Sequence, residues 1–401
     1  MDPRLYDRST PPHITTLVMA TAASALSMNV FLPSLPGMAT YFETDYAVMQ
    51  LAVSVYIGAT AILQIFIGPA SDRFGRRPVM LACLAMFLLG TVGAIYSLSI
   101  ELFLACRCLQ AFSAAGMVLS RAIVRDTVDA SQAASKIGYI TMGMALVPMV
   151  APMIGGVLDE VYDWRATFLL MLVFGLLAYL AVFLDLGETN TARSTSLAAQ
   201  FRTYPELFGS RRFWGYTGTA AFTAGAFYAF LGGGPYVSSE ILGLTPSQYG
   251  FYFGLISVGY IGGNFVSGRF SQAVGINRMM LYGNLVSILG MALALALFFA
   301  GAFHPLSLFG PTILTGVGNG MTLPSANAGI VSVRPHLAGS ASGLGGALQI
   351  GGGALLAITA GALLGPDTGP YPLIWVMLLS SLAAVLSTLY VIRVARMVGD
   401  R

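Results

Sequence analysis

The chain is a succession of long apolar runs separated by short polar breaks. Each run is about 20 residues long, the length an α-helix needs to cross hydrocarbon while satisfying all of its own backbone N–H and C=O groups. Six runs lie near 14–34, 47–69, 78–99, 101–123, 136–158 and 164–185. After a polar stretch, six more lie near 213–236, 247–269, 278–301, 306–329, 337–363 and 372–394. The pattern predicts an all-α integral membrane protein of twelve spans. Residues 1–186 form an N-terminal six-helix bundle, 187–212 a cytoplasmic linker and 213–401 a C-terminal six-helix bundle. Ala20, Ala22 and Ala25 offer spacing like that of a signal-peptide cleavage site, but the apolar run continues past them. The first segment therefore reads as a retained span.

Charge placement orients this map. Lys and Arg concentrate in short cytoplasmic segments. With both termini inside, every basic residue except Arg107 and Arg165 falls on the inner side. The outer side collects acids such as Glu43, Asp45, Asp159, Glu160, Asp163, Glu240 and Asp367. Composition narrows the class further. Charged residues make up 9% and hydrophobic ones 56%, against about 25% charged in an average soluble protein. Too few polar side chains exist to coat a soluble globule, which excludes a soluble enzyme and a disordered chain. A net charge of +3 is too small to draw nucleic acid. The single lysine, Lys136, sits between Ser135 and Ile137, so there is no phosphate-cradling Gly-x-x-x-x-Gly-Lys loop and no ATP pump in this chain. Cys83, Cys106 and Cys108 lie in apolar runs, without disulfide or zinc spacing. No metal or cofactor is expected.

The two halves echo each other. Gly68-Pro-Ala-Ser-Asp72-Arg73-Phe-Gly75-Arg76-Arg77 follows the second run, and Ser267-Gly268-Arg269-Phe270, with Gly275 and Arg278, follows the eighth. Parallel repeats of this kind place a solute site between the halves near the midplane. In the first copy, Asp72 with Arg73, Arg76 and Arg77 around a tight Gly75 turn can bridge neighbouring helix ends by charge-assisted hydrogen bonds, a latch that makes and breaks. Topological marking alone accounts for the arginines but not for Asp72. The 47 glycines exceed the roughly 7% of average proteins. Clusters such as Gly316-x-x-x-Gly320, Gly339-x-x-x-Gly343 and Gly351–Gly353 allow close helix approach.

Gly68–Arg77 resembles the signature loop of the major facilitator superfamily. Arg107-Cys-Leu-Gln110-Ala-Phe-Ser-Ala-Ala-Gly116 resembles that family's Arg-x-x-Gln-Gly motif, with Ala111 in place of Gly. Gly143 through Ala151-Pro152-Met-Ile-Gly155-Gly156 resembles the antiporter motif of its exporters, with Ala151 where Gly is commoner. Phe31-Leu-Pro-Ser-Leu-Pro36, Arg121-Ala-Ile-Val-Arg125-Asp126 and Trp164-Arg165-x-x-Phe168 are similar to the Bcr/CflA group of multidrug exporters. The resemblance implies the family fold, the cytoplasmic (inner) membrane, and proton-coupled export of small, often hydrophobic compounds by a monomer. Arg125 and Asp126 join the expected gate.

Arg107 stands out on physical grounds as well. A mid-membrane arginine costs several kcal/mol unless it faces a wet cavity or a partner, so it marks either a functional site or a clamp on neighbouring carbonyls. The resembled exporters commonly carry an Asp just before the aromatic-Leu-Pro of the first span; here that position is Asn29. None of the 17 acidic residues is mid-span, the nearest being Asp72, Glu101, Asp126 and Asp185, and His13, His304 and His336 also lie at ends. Proton coupling must then use an end carboxylate, the solute itself, or nothing. Polar and aromatic positions within spans are the candidate solute contacts: Asn29, Tyr56, Gln64, Arg107, Gln110, Tyr139, Tyr228, Asn264, Asn319, Asn327 and Gln349. Each Asn or Gln could equally be hydrogen-bonding glue between helices. Export of amphipathic compounds is the leading expectation. Exchange or uniport of an anionic metabolite centred on Arg107 stays open, while an intramembrane enzyme or receptor lacks any catalytic constellation.

Overall fold

A computed structural model describes residues 7–127, 130–190, 204–334 and 337–398. Side chains at 125, 130–139, 141–145 and 338–339 are outside the described set, as are residues 191–203 of the linker. Twelve long helices run through the described residues. In the first half they are α1 (Ile14–Tyr41, bent through a short 3₁₀ turn at Leu32–Ser34), α2 (Tyr46–Phe74), α3 (Arg76–Ile95), α4 (Ile100–Val124), α5 (Ala130–Val161) and α6 (Trp164–Asp185). A short helix, Tyr204–Phe208, precedes the second half. There follow α7 (Arg211–Tyr236), α8 (Pro246–Val274), α9 (Ile276–Phe299), α10 (Pro305–Ser332), α11 (Ala338–Leu363) and α12 (Tyr371–Val398).

The polar breaks start helices by capping them. Ser99, Asp163 and Ser210 accept hydrogen bonds from the N–H groups of Leu102, Arg165 and Phe213, satisfying donors that have no partner in a first turn. Thr245 and Gln248 close a reciprocal capping box at α8, with Pro246 as its first residue. Eight helices are long and apolar enough to cross a membrane by length and composition, and α5, α7, α8 and α10 match them in length at 26 to 32 residues. Large apolar side chains such as Leu89, Phe265, Leu355 and Leu386 are 63–71% exposed on these helices. In water such a surface would aggregate; in lipid it is solvated.

Two expectations about boundaries are corrected. The sequence places Gly68–Phe74 in a connection after the second span, but α2 continues through them. It ends only at Gly75, where φ is +104°, and Asp72 in its last turn pairs across that break with Arg76, the first residue of α3. The fourth span is not uniform either: it tightens to a 3₁₀ turn at Ala111–Ser113, directly after Gln110. Gly275 repeats the Gly75 break at the end of α8, with φ +88°, and each Gly N–H bonds the carbonyl four residues back, Ser71 or Ser271. These conformations exclude most side chains, so glycine is required at both copies of the repeat.

Within the second half, helices pack backbone to backbone. Gly259 and Gly263 of α8 lie on the carbonyls of Ile313 and Val317 of α10, and Gly290 of α9 lies on that of Pro311. Small residues permit this approach where lipid supplies no hydrophobic drive between helices. Between the halves, α5 crosses α8 and α2 runs along α11. The end of the molecule that carries the Gly75 and Gly275 turns, where α1 begins and α12 finishes, is called the terminal end below.

Candidate functional site

Three groups of residues have the geometry to act. The first surrounds Arg107, which is fully buried. Its Nε donates to the Ala52 carbonyl of α2 at 3.0 Å, and one Nη donates to Gln110 Oε1 and to Ser27 of α1 at 3.4 Å. The guanidinium lies 4.3 Å from the centre of the Phe31 ring and 4.5 Å from that of Tyr56, within cation–π range. The other Nη has no partner, and no ion pair among the described residues involves Arg107. Gln110 passes the chain on, donating to Thr91 of α3 at 2.9 Å. The Tyr56 hydroxyl meets the Ser24 carbonyl at 3.0 Å and Ser113 at 2.9 Å. Four helices of the first half are thereby tied together around one positive charge whose contacts are all neutral.

The second group sits at the terminal end. Arg76 lies between two carboxylates, with Asp72 at 2.5 Å and Asp126, in the helical turn that carries α4 on to Thr127, at 2.9 Å, and also donates to Ser71 at 2.6 Å. Three helix ends of the first half, those of α2, α3 and α4, are joined by this cluster; none of these bonds reaches the second half. The start of the linker covers it. Glu188 accepts the Arg76 backbone N–H at 2.9 Å and stands where a Cβ on Gly75 would be, while the Asn190 side chain donates to the Asp72 carbonyl at 2.8 Å. Arg77 donates to the Phe183 carbonyl at 3.1 Å, and Arg73 lies exposed over Phe74. Gly68 is inside α2, where its carbonyl accepts from Ser71. The side chain of Arg125 is outside the described residues.

The third group closes the opposite end. Gly156 of α5 lies against the Pro246 carbonyl of α8, and Gly250 of α8 against the Pro152 carbonyl of α5. Gly155 packs instead on the Val30 carbonyl of α1, so the two neighbouring glycines serve different contacts. Gly143 is outside the described side chains. Across the other seam, Gln50 is fully buried and donates to Ser54 at 2.6 Å and to the Ala357 carbonyl of α11 at 2.9 Å. Its amide fills the room left by Gly232 and Gly361, where a Cβ would come within 2.5 Å. Tyr46 donates to the Gly232 carbonyl at 2.7 Å, and Ser247 donates to Glu160 at 2.8 Å. Nearer the terminal end α2 covers the glycines of α11 less closely, although Ile65 still packs on the second half's cluster of Phe213, Ile330 and Leu344. A Cβ on Gly351 would meet only Ala61, at 3.8 Å, one on Gly346 only Gln64, at 3.6 Å, and one on Gly343 nothing within 4 Å.

The sequence-derived solute contacts are only partly brought together. Tyr56, Arg107 and Gln110 share one cluster. Asn29 is buried on α1, but its amide returns to the Ala25 carbonyl of its own helix at 2.7 Å, leaving Oδ1 without a partner. Tyr228 lies against Gly353 of α11 and packs on the apolar cluster that contains Tyr56. The amide nitrogen of Gln64 is buried without a partner. Asn264 donates to the Tyr260 carbonyl at 2.8 Å. On α10, Asn319 is buried with Oδ1 unpartnered, whereas Asn327 is exposed; Gln349 is half-buried on α11. Tyr139 is outside the described side chains. Sequence reasoning passed over Gln50, Glu188 and Asn190. It also passed over Asn284, which accepts from Thr223 at 2.8 Å and donates to Thr388 at 3.3 Å inside the second half. A glutamine beginning an apolar run was the one available signal for Gln50. Nothing in the sequence pairs Asn284 with its threonines.

Twelve long helices with lipid-compatible apolar surfaces and glycine-lined contacts between the halves are the architecture of a polytopic membrane protein. Comparison with known proteins agrees: the sequence model of the Major Facilitator Superfamily matches residues 17–357 and 234–398, and the chain belongs to that family. It is 30% identical to the "Bicyclomycin resistance protein homolog" of Haemophilus influenzae (strain ATCC 51907 / DSM 11121 / KW20 / Rd), over 87% of this chain and 88% of that one. It is 29% identical to "Multidrug resistance protein D" of Escherichia coli (strain K12), over 92% and 93%. Among solved structures, a D-xylose-proton symporter superposes with a TM-score of 0.75 at 13% identity, over 94% of this chain and 96% of the other. Such relatives support a drug transporter of this family rather than an enzyme.

Proposed function

We propose that the chain exports small amphipathic compounds across the cytoplasmic membrane by alternating access, working as a monomer with both termini in the cytoplasm. The observation that carries this reading is the uneven seam. Hydrogen bonds and backbone contacts join the halves at the end opposite the termini, through Gln50, Tyr46, Glu160 and the Gly156 and Gly250 crossing. In the proposed orientation that end faces outward, so the chain is clasped on the outside, the side that must be shut when solute loads from the cytoplasm. Asp72, Arg76 and Asp126, with Gly68, Arg73, Gly75, Arg77 and Arg125, form the conformational gate. Tyr56, Tyr228, Gln64 and Gln349 contribute to the solute path. Arg107, sealed beneath Tyr56, holds the first bundle together instead of touching solute in this state, which weighs against an anion exchanger centred on its guanidinium. Protons are the proposed coupling ion, weakly coupled, because none of the 17 acidic residues lies mid-span.

The test is transport by purified protein in proteoliposomes, using a panel of neutral and charged drugs with the pH gradient and the voltage imposed separately. Movement of at least one neutral compound, only modestly changed by the pH gradient, is the expected result. Failure to move any member of the panel in either direction would refute export.

A further inference from the structure

We infer that the solute path between the halves disfavours cations and takes neutral or anionic amphipathic compounds; this rests on the export reading and narrows its substrate class. The argument is one of uncompensated charge. Arg107 is buried and hydrogen-bonded to a carbonyl, a hydroxyl and an amide, all neutral. Those acceptors stabilise the guanidinium without cancelling its charge, as a carboxylate would. In a medium of low dielectric the remaining potential is large and falls off only as the inverse of distance. Its route to the path is short: the guanidinium lies on the Tyr56 ring, and Tyr56 belongs to the apolar cluster against which Tyr228 of the second half packs.

Among the described residues no acid answers Arg107. Asp72 and Asp126 are committed to Arg76, and Asp185 accepts from the His13 backbone N–H at 2.8 Å and from Thr16 at 2.7 Å. Glu188 sits on the Arg76 N–H. The remaining acidic residues lie in loops or at span ends. A cation entering the path would lose hydration and meet repulsion. A neutral or anionic solute with acceptor atoms would find the unpartnered Gln64 amide and the tyrosine rings.

Tetraphenylphosphonium and tetraphenylborate carry the same four rings with opposite charge, so their relative binding, each corrected for uptake by protein-free detergent, reads the sign of the field. For a solute about 10 Å from one such charge at an effective dielectric constant of about 20, each sign of charge changes affinity by about tenfold, in opposite directions. Equilibrium dialysis with the purified full-length protein should show the borate bound at least tenfold more tightly than the phosphonium. Gln64→Glu should shrink that ratio at least tenfold by adding a carboxylate to the seam, and Gln272→Glu, which adds the same charge on the exposed end of α8, should leave it within about threefold. Equal or tighter binding of the phosphonium by the unaltered protein overturns the proposal, as does a ratio that Gln64→Glu does not move. Export itself is read separately, from neutral-compound transport in proteoliposomes: transport without charge preference removes this inference alone, and charge preference without transport removes the export reading alone.

Discussion

Arg76→Gln offers the clearest test of the latch. Glutamine keeps a hydrogen-bonding side chain of moderate length but removes the charge between Asp72 and Asp126, which lie 2.5 Å and 2.9 Å from the guanidinium. Arg76 is 11% exposed while its partners are 24% and 40% exposed, so solvent screens both contacts appreciably. Each pair then contributes at most about 1 kcal/mol, and the loss of both shifts the conformational equilibrium by about 2 kcal/mol, or roughly 30-fold. The bonds lie within the first half and away from the seam, so solute affinity within one state is untouched. A ligand or mutation moves such an equilibrium only through a difference between its states. Turnover in proteoliposomes should therefore fall about tenfold or more, with solute Kd in detergent changed less than about threefold. Asp72→Asn and Asp126→Asn should each reproduce part of the effect, and 1 M salt should weaken the contrast. Arg269→Gln, on the exposed end of α8, is the control for a generic loss of positive charge. A parallel loss of binding and transport in Arg76→Gln, or an effect matched by Arg269→Gln, would refute the latch.

Other substitutions probe the remaining clusters. Arg107→Lys keeps the charge but cannot reproduce the contacts to Ala52, Ser27 and Gln110 together; losing two charge-assisted bonds costs about 3 kcal/mol, so transport and thermal stability should both fall, whereas near-normal values would reduce Arg107 to a generic charge. Gln50→Leu removes the amide bond to the Ala357 carbonyl and should favour opening of that end, seen as faster alkylation of a cysteine placed at Ser54; unchanged labelling would contradict the clasp. Asn29→Asp adds a titratable group beside an orphaned Oδ1 position, and it should raise the response of transport to an imposed pH gradient. A purified native protein whose export of a neutral compound stops when only the pH gradient is collapsed would relocate coupling to Asp126 or Glu101.

Much of the fold was legible because membrane helices advertise themselves one segment at a time. Length and apolarity are local signals, and they placed most helices to within a few residues, although α1 runs on to Tyr41 past its apolar stretch and α5 begins at Ala130, before its own. The α2 terminus was misjudged because apolarity ends near Ile67 while the helix ends at Gly75; a spanning run and a helix are different objects once charged residues continue the turn. The site was less legible. Arg107 announced itself through the cost of burying a charge, and Gln110 came with it three residues on. Their neutral partners did not, because Ala52 acts through its carbonyl and Ser24, Ser27 and Ser113 look like ordinary small residues in apolar runs. Gln50 was hidden for a different reason: its importance comes from Gly232 and Gly361, nearly two hundred residues or more away in sequence. The linker looked like a spacer, yet Glu188 accepts from the Arg76 N–H and Asn190 donates to the Asp72 carbonyl, contacts that a charge or amide in a loop does not announce.

The central claim is that the two ends open in alternation, and paired distances in one sample test it most directly. In a variant lacking Cys83, Cys106 and Cys108, spin labels at Asp45 and Asp367 report the end opposite the termini, and labels at Phe74 and Gln272 report the terminal end; all four positions are exposed. Pulsed electron–electron resonance in nanodiscs should give a short Asp45–Asp367 distance and a long Phe74–Gln272 distance in the unliganded protein. Saturating a transported compound, or adding Gln50→Leu, should populate a second state in which the first distance lengthens while the second shortens. Distances that lengthen together, or a terminal-end distance that never responds, would contradict alternating access.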